Sequence, residues 1–82
     1  MNKYSPVDQE IKKLVSLIGS NISRRRKELG MTQERLAELA DINEKYLSSI
    51  ENGREANLSI GYLVRISSAM DISFLELIPE GR

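Results

Sequence analysis

Apolar positions along the chain recur at helical intervals in five segments, and no segment alternates with the two-residue period of a strand. In the first segment Val7, Ile11, Leu14, Val15, Ile18, Ile22 and Leu29 share one face of a helix. Ser5 is a good cap for that helix, Pro6 suits its first position, and Asp8 and Glu10 complement the positive end of its dipole. Gly30 ends it. Gly19 falls inside the pattern at a cost of roughly 1 kcal/mol relative to Ala. Because the apolar stripe continues past it, the spacing predicts one long helix rather than two stacked pieces.

The next two segments are short and close together. Thr32 caps a helix with Leu36, Ala37 and Ala40 facing inward, and Asn43 caps another with Leu47 and Ile50 inward. Two caps at this separation force a sharp bend. Ala37 is small enough for the second helix to rest on it. Asp41 falls where the chain must leave the first helix, a place that often takes a left-handed conformation, which Asp tolerates better than most residues though less well than Gly. Ile42 then turns back as a core anchor. Ser59 caps a fourth helix running through Met70. Ser73, with Glu76 three residues later, predicts a capping box for a short fifth helix that Pro79 stops.

With Leu47 and Ile50 buried, the opposite face of the third helix carries Glu44, Lys45, Ser48, Ser49 and Asn52. All can hydrogen-bond to base edges or phosphates. The run Gly30-Met31-Thr32-Gln33-Glu34-Arg35-Leu36-Ala37, followed by Tyr46-Leu47-Ser48-Ser49-Ile50-Glu51-Asn52-Gly53, resembles the Cro/C1-type (XRE-like) helix-turn-helix regulators. The resemblance extends from Ile18 to Ile78, with Leu63, Ile66, Met70, Ile72 and Leu77 at the family's apolar core positions. Asp41 replaces the family's usual turn glycine, Ser67 stands where alanine is common, and Ala56-Asn57-Leu58 lacks a proline often found there. Asn57-Leu58-Ser59-Ile60 is similar to the small controller proteins of restriction–modification systems.

The resemblance implies an all-α, five-helix, lambda-repressor-like DNA-binding domain over residues 18–78, with its motif at 33–52. A helical extension at 1–17, continuous with the first helix, precedes it, and a tail at 79–82 follows. The implied function is that of a sequence-specific, double-stranded DNA-binding transcriptional regulator, acting as a homodimer on a palindromic operator, with a restriction–modification controller as the narrower form. Glu44, Lys45 and Ser49 match the family's base-reading positions. Lysine favours guanine acceptors, glutamate accepts from amino groups, and serine discriminates little. Gln33 matches a phosphate contact assisted by helix N-terminal amides. Asn43, Tyr46, Ser48, Asn52 and Arg54 are further candidates for the DNA backbone, although Tyr46 also suits a covering role at the helix junction. An arginine four residues before the glycine, here Arg26, pairs in the family with the glutamate of Glu51-Asn52-Gly53. That assigns Arg26 and Glu51 to architecture and leaves the rest of Arg24-Arg25-Arg26-Lys27 divided between clamping phosphate and complementing the helix dipole.

Tyr62, Val64, Phe74, Leu75 and Ile78 supply more apolar surface than one small core needs, so self-association through the last two helices is expected. Tyr4, Val7, Ile11 and Leu14 are expected instead to cover the partner or to lengthen that interface. Eighty-two residues make one small domain, without room for a separate ligand-binding module. With no cysteine and no histidine, neither a disulfide framework, a metal site nor any cofactor is expected, and no nucleophile stands beside a base, so an enzyme is not expected. Twelve basic and twelve acidic residues cancel, which makes the local distribution of charge matter more than its total. No apolar run reaches membrane-spanning length and no signal-peptide order opens the chain, so the bacterial cytoplasm is the expected setting. Double-stranded DNA, a second copy of the chain and RNA polymerase are the expected partners. The competing reading is an antitoxin that binds its toxin and regulates its own operon.

Overall fold

A computed structural model describes residues 5–80 of the chain. Four α-helices follow one another, α1 (Pro6–Glu28), α2 (Gln33–Ala40), α3 (Glu44–Glu51) and α4 (Ile60–Ala69), and a single 3-10 turn at Phe74–Leu77 closes the array. Among the described residues there is no strand. Each helix begins where a side-chain oxygen satisfies its first amides. Ser5 and Asp8 form a reciprocal capping box, and Thr32, Asn43 and Ser59 accept from Arg35, Tyr46 and Tyr62 respectively.

All four helices end in the same closure. The residues after their last turns, Gly30, Asp41, Gly53 and Asp71, take left-handed backbone, with φ between 56 and 71°. The amide one residue later bonds back five positions, Met31 to Arg26, Ile42 to Ala37, Arg54 to Ser49 and Ile72 to Ser67, at 3.0–3.1 Å. Met31, Ile42 and Ile72 then lie against the core. Arg54 is the one polar residue in that place and remains exposed.

The expected fifth helix is a four-residue 3-10 turn. Ser73 does cap it, accepting from the Leu75 amide, but the capping box is absent because the Glu76 carboxylate turns away to Arg25 on α1. Asn21, also on α1, donates to the Leu77 carbonyl at 2.9 Å, so the turn is held sideways onto the first helix.

The core comprises Ile18 and Ile22 from α1, Leu36, Ala37 and Ala40 from α2, Leu47 and Ile50 from α3, Leu63, Ile66 and Met70 from α4, and Leu77. The predicted stripe of α1 is only partly used. Val15, Ile18 and Ile22 are buried, whereas Val7, Ile11 and Leu14 are exposed because the first half of this 23-residue helix runs beyond the core, and Leu29 is exposed past its last turn. Tyr4 lies outside the described residues.

Gly19 is buried within an unbroken α1. A Cβ built there would lie 2.0 Å from the Ile50 carbonyl oxygen and 2.9 Å from its carbon. The glycine that weakens α1 as a helix is what lets it touch the backbone of α3. In an ordinary helix interior Gly19→Ala would stabilise by about 1 kcal/mol. Here the sign is inverted, because the obstacle is backbone that cannot rotate aside, and a loss of about 3 kcal/mol is expected in urea unfolding.

Candidate nucleic-acid interface

The left-handed exit at Asp41 ends α2, and the Asn43 cap starts α3 two residues later. Asn43 Oδ1 accepts from the amides of Lys45 (2.8 Å) and Tyr46 (3.2 Å), so its carbonyl oxygen is committed to the helix start. Leu47 and Ile50 are fully buried, which turns Lys45, Ser49 and Asn52, one turn apart, to the outside. Ser48 flanks this stripe, and Glu44 lies at its edge in the first turn.

On the inner side Arg26 and Glu51 make a two-point pair, Nε to Oε2 at 2.8 Å and Nη2 to Oε1 at 2.9 Å. Their side chains are 10% and 2% exposed. Arg26 Nη1 also donates to the Met31 carbonyl at 2.7 Å, and Gln33 Nε2 donates to Glu51 Oε1 at 3.0 Å. Each guanidinium nitrogen of Arg26 and each carboxylate oxygen of Glu51 therefore has a hydrogen-bond partner inside the protein, at the point where α1, α2 and α3 meet. Gln33 takes part in this cluster through its amide nitrogen.

Asn52 Nδ2 donates to the Ser48 carbonyl at 2.8 Å and to the Ser48 hydroxyl oxygen at 3.2 Å, which holds the Asn52 amide nitrogen along the helix. The Tyr46 ring packs edge-on against Tyr62 of α4, centroids 5.0 Å apart, and rests partly against the core. Partial burial, and then the charge of Glu55, raise the Tyr46 hydroxyl above its usual pKa. Lys45 and Arg54 are exposed. In the basic run, Arg24 lies 3.6 Å and Arg25 3.7 Å from Glu28, Arg25 also meets Glu76, and Arg26 is turned inward. Tyr62, Val64, Phe74 and Leu75 are exposed, while Ile78 is half-buried against the core. Val64 and Phe74 flank an open groove of about 470 Å³ between α4 and the 3-10 turn.

The sequence pattern does not mark one further residue beside α3. Glu55, half-buried after α3, accepts from the Ser49 hydroxyl at 2.8 Å. The signal for it is Gly53, whose left-handed backbone reverses the chain and returns the residues after it toward α3.

A helix-turn-helix family model matches residues 22–77. The HTH-type transcriptional regulator SinR of Bacillus subtilis (strain 168) is 41% identical over 64 residues, covering 78% of this chain and 58% of that protein. The chain thus spans less than two thirds of that curated relative's length. The restriction-modification controller protein C.AhdI from Aeromonas hydrophila has a similar structure, with TM-score 0.74 and 28% identity over 78% of this chain and 96% of that chain. SinR solved in complex with DNA gives TM-score 0.70 and 42% identity over 73% of this chain and 95% of that chain.

Glu51→Gln leaves a nearly buried guanidinium without its counter-charge and is expected to cost about 3–5 kcal/mol. Replacing Arg26 and Glu51 together by well-packed apolar residues recovers most of that loss. A double-mutant cycle in urea measures the coupling, and additive single effects would show the pair to be energetically idle.

Proposed function

This chain belongs to the helix-turn-helix family, and from that premise we propose that it is a transcriptional regulator that binds a palindromic duplex as a homodimer and reads base edges with α3. The observation that carries the reading is the division of α3 into two sides. One side is fixed to α1 by the Gly19 contact and the Arg26–Glu51 pair, and the other presents Lys45, Ser49 and Asn52 outward as a rigid polar stripe. A helix held this way can enter a major groove without reorganising. That SinR, similar over these same helices, has been solved in complex with DNA supports the reading. The likeness to C.AhdI supports the narrower form, a restriction–modification controller.

In this reading Lys45 donates to guanine acceptors, Glu44 accepts from an amino group at the edge of the footprint, and Ser49 contacts a third base. Gln33 uses one amide hydrogen on Glu51, which orients the other for a phosphate beside the free amides at the start of α2. Asn43 through its amide nitrogen, Tyr46, Ser48, Asn52 and Arg54 supply backbone contacts. Two copies associate through α4 and the 3-10 turn, with Tyr62, Val64, Phe74, Leu75 and Ile78 at or beside the shared surface.

Sedimentation is expected to show a dimer on a palindromic duplex whose half-site centres lie about 34 Å apart, one helical turn. A protein that stays monomeric with and without such a duplex contradicts the proposal. Lys45→Ala is expected to relax discrimination at one base step by about 1–3 kcal/mol. Arg54→Ala should instead weaken all duplexes alike and lower the salt slope by about one unit. Binding-site selection with each variant separates the two effects.

A further inference from the structure

A serine on a reading helix ordinarily discriminates little, since its hydroxyl can donate to one base edge or accept from another. Ser49 lacks that freedom. Its Oγ donates to Glu55 Oε2 at 2.8 Å, and a carboxylate has only acceptor positions, so the single hydroxyl hydrogen is committed to that bond. What remains on the serine oxygen is a pair of acceptor sites, polarised by a neighbouring negative charge.

The backbone builds this arrangement. At the end of α3 the Arg54 amide bonds back to the Ser49 carbonyl at 3.0 Å, and Gly53 takes φ of 70°. The chain reverses, and Glu55 returns beside the helix at the level of Ser49. Partial burial first, and then the nearby charge of Glu55, raise the hydroxyl pKa of Tyr46, one turn earlier on α3.

We infer that Ser49 and Glu55 act together as an acceptor pair selecting a base with an exocyclic amino group in the major groove, N4 of cytosine or N6 of adenine. Guanine O6 and thymine O4 are acceptors, so both meet lone pairs and a negative charge where they need a donor. Lys45, one turn earlier on the same stripe, has the opposite polarity and takes acceptors. The two neighbours therefore read complementary classes of base edge. This inference rests on the proposed DNA-reading role of α3, and it makes Glu55 a specificity-positioning residue that acts through Ser49.

The test is selection from randomised duplexes using the full chain, the Ser49→Ala variant and the Glu55→Ala variant. The position read by Ser49 is the one whose preference Ser49→Ala removes. Every base pair holds one amino-bearing and one keto base, so the amino group itself is tested: on the selected duplex, purine in place of adenine, or 2-pyrimidinone in place of cytosine, at that position should weaken the parent protein by about tenfold more than it weakens Ser49→Ala. Glu55→Ala frees the hydroxyl to donate as well as accept, and should flatten that preference while leaving the Lys45 position unchanged. Removing a negative charge also tightens binding to every duplex, but base ratios within one selection cancel that gain. Equal weakening of the parent and of Ser49→Ala by the missing amino group overturns the inference. So does an undiminished preference in Glu55→Ala, or the absence of any position sensitive to Ser49→Ala. If the parent enriches no duplex at all, the DNA-reading role itself fails, a different outcome from enrichment without the Ser49–Glu55 signature.

Discussion

The approach of α1 to the last turn of α3 is the constraint on which the structure depends. Gly19 and Arg26 are seven residues apart, two turns along one face of α1. At one point the face offers bare backbone to the Ile50 carbonyl, and at the other a guanidinium to Glu51. Apolar packing at Ile22 and Ile50 would by itself tolerate sliding. A two-point ion pair closed by the Met31 carbonyl and the Gln33 amide fixes one register. A buried pair of this kind adds little net stability over apolar replacements, and its contribution here is directional.

What was legible in the sequence is what local chemistry decides. The caps at Ser5, Thr32, Asn43 and Ser59 and the exits at Gly30 and Asp41 lie where their residue types point, because each closes bonds within a few residues of itself. What was not legible depends on distant partners. Gly19 reads as a weak point until Ile50 is known to face it. Glu76 reads as half of a capping box, yet it is taken by Arg25 across 51 residues of chain. On the outer face of α3, the stripe of Lys45, Ser49 and Asn52 follows from helical periodicity alone. Its modification by Glu55 does not, since it needs the course of the loop after Gly53.

The overextended first helix shows a similar limit. Periodicity marks Val7, Ile11 and Leu14 as members of one apolar face, but it cannot say where along that face the core ends. The core ends near Val15, because α2, α3 and α4 are only eight to ten residues long and cannot reach further along a helix of 23.

Lys45, Ser48, Ser49 and Asn52 share a helix with Leu47, Ile50 and Glu51, yet none of the four belongs to the core cluster, and the residues that hold the helix in place are a disjoint set. Mutational drift in the outward set is therefore nearly invisible to folding, while drift in the inward set is penalised whatever the helix faces. A single scaffold can in this way diverge into many descendants that differ in what they recognise and agree in how they fold, without passing through unstable ancestors.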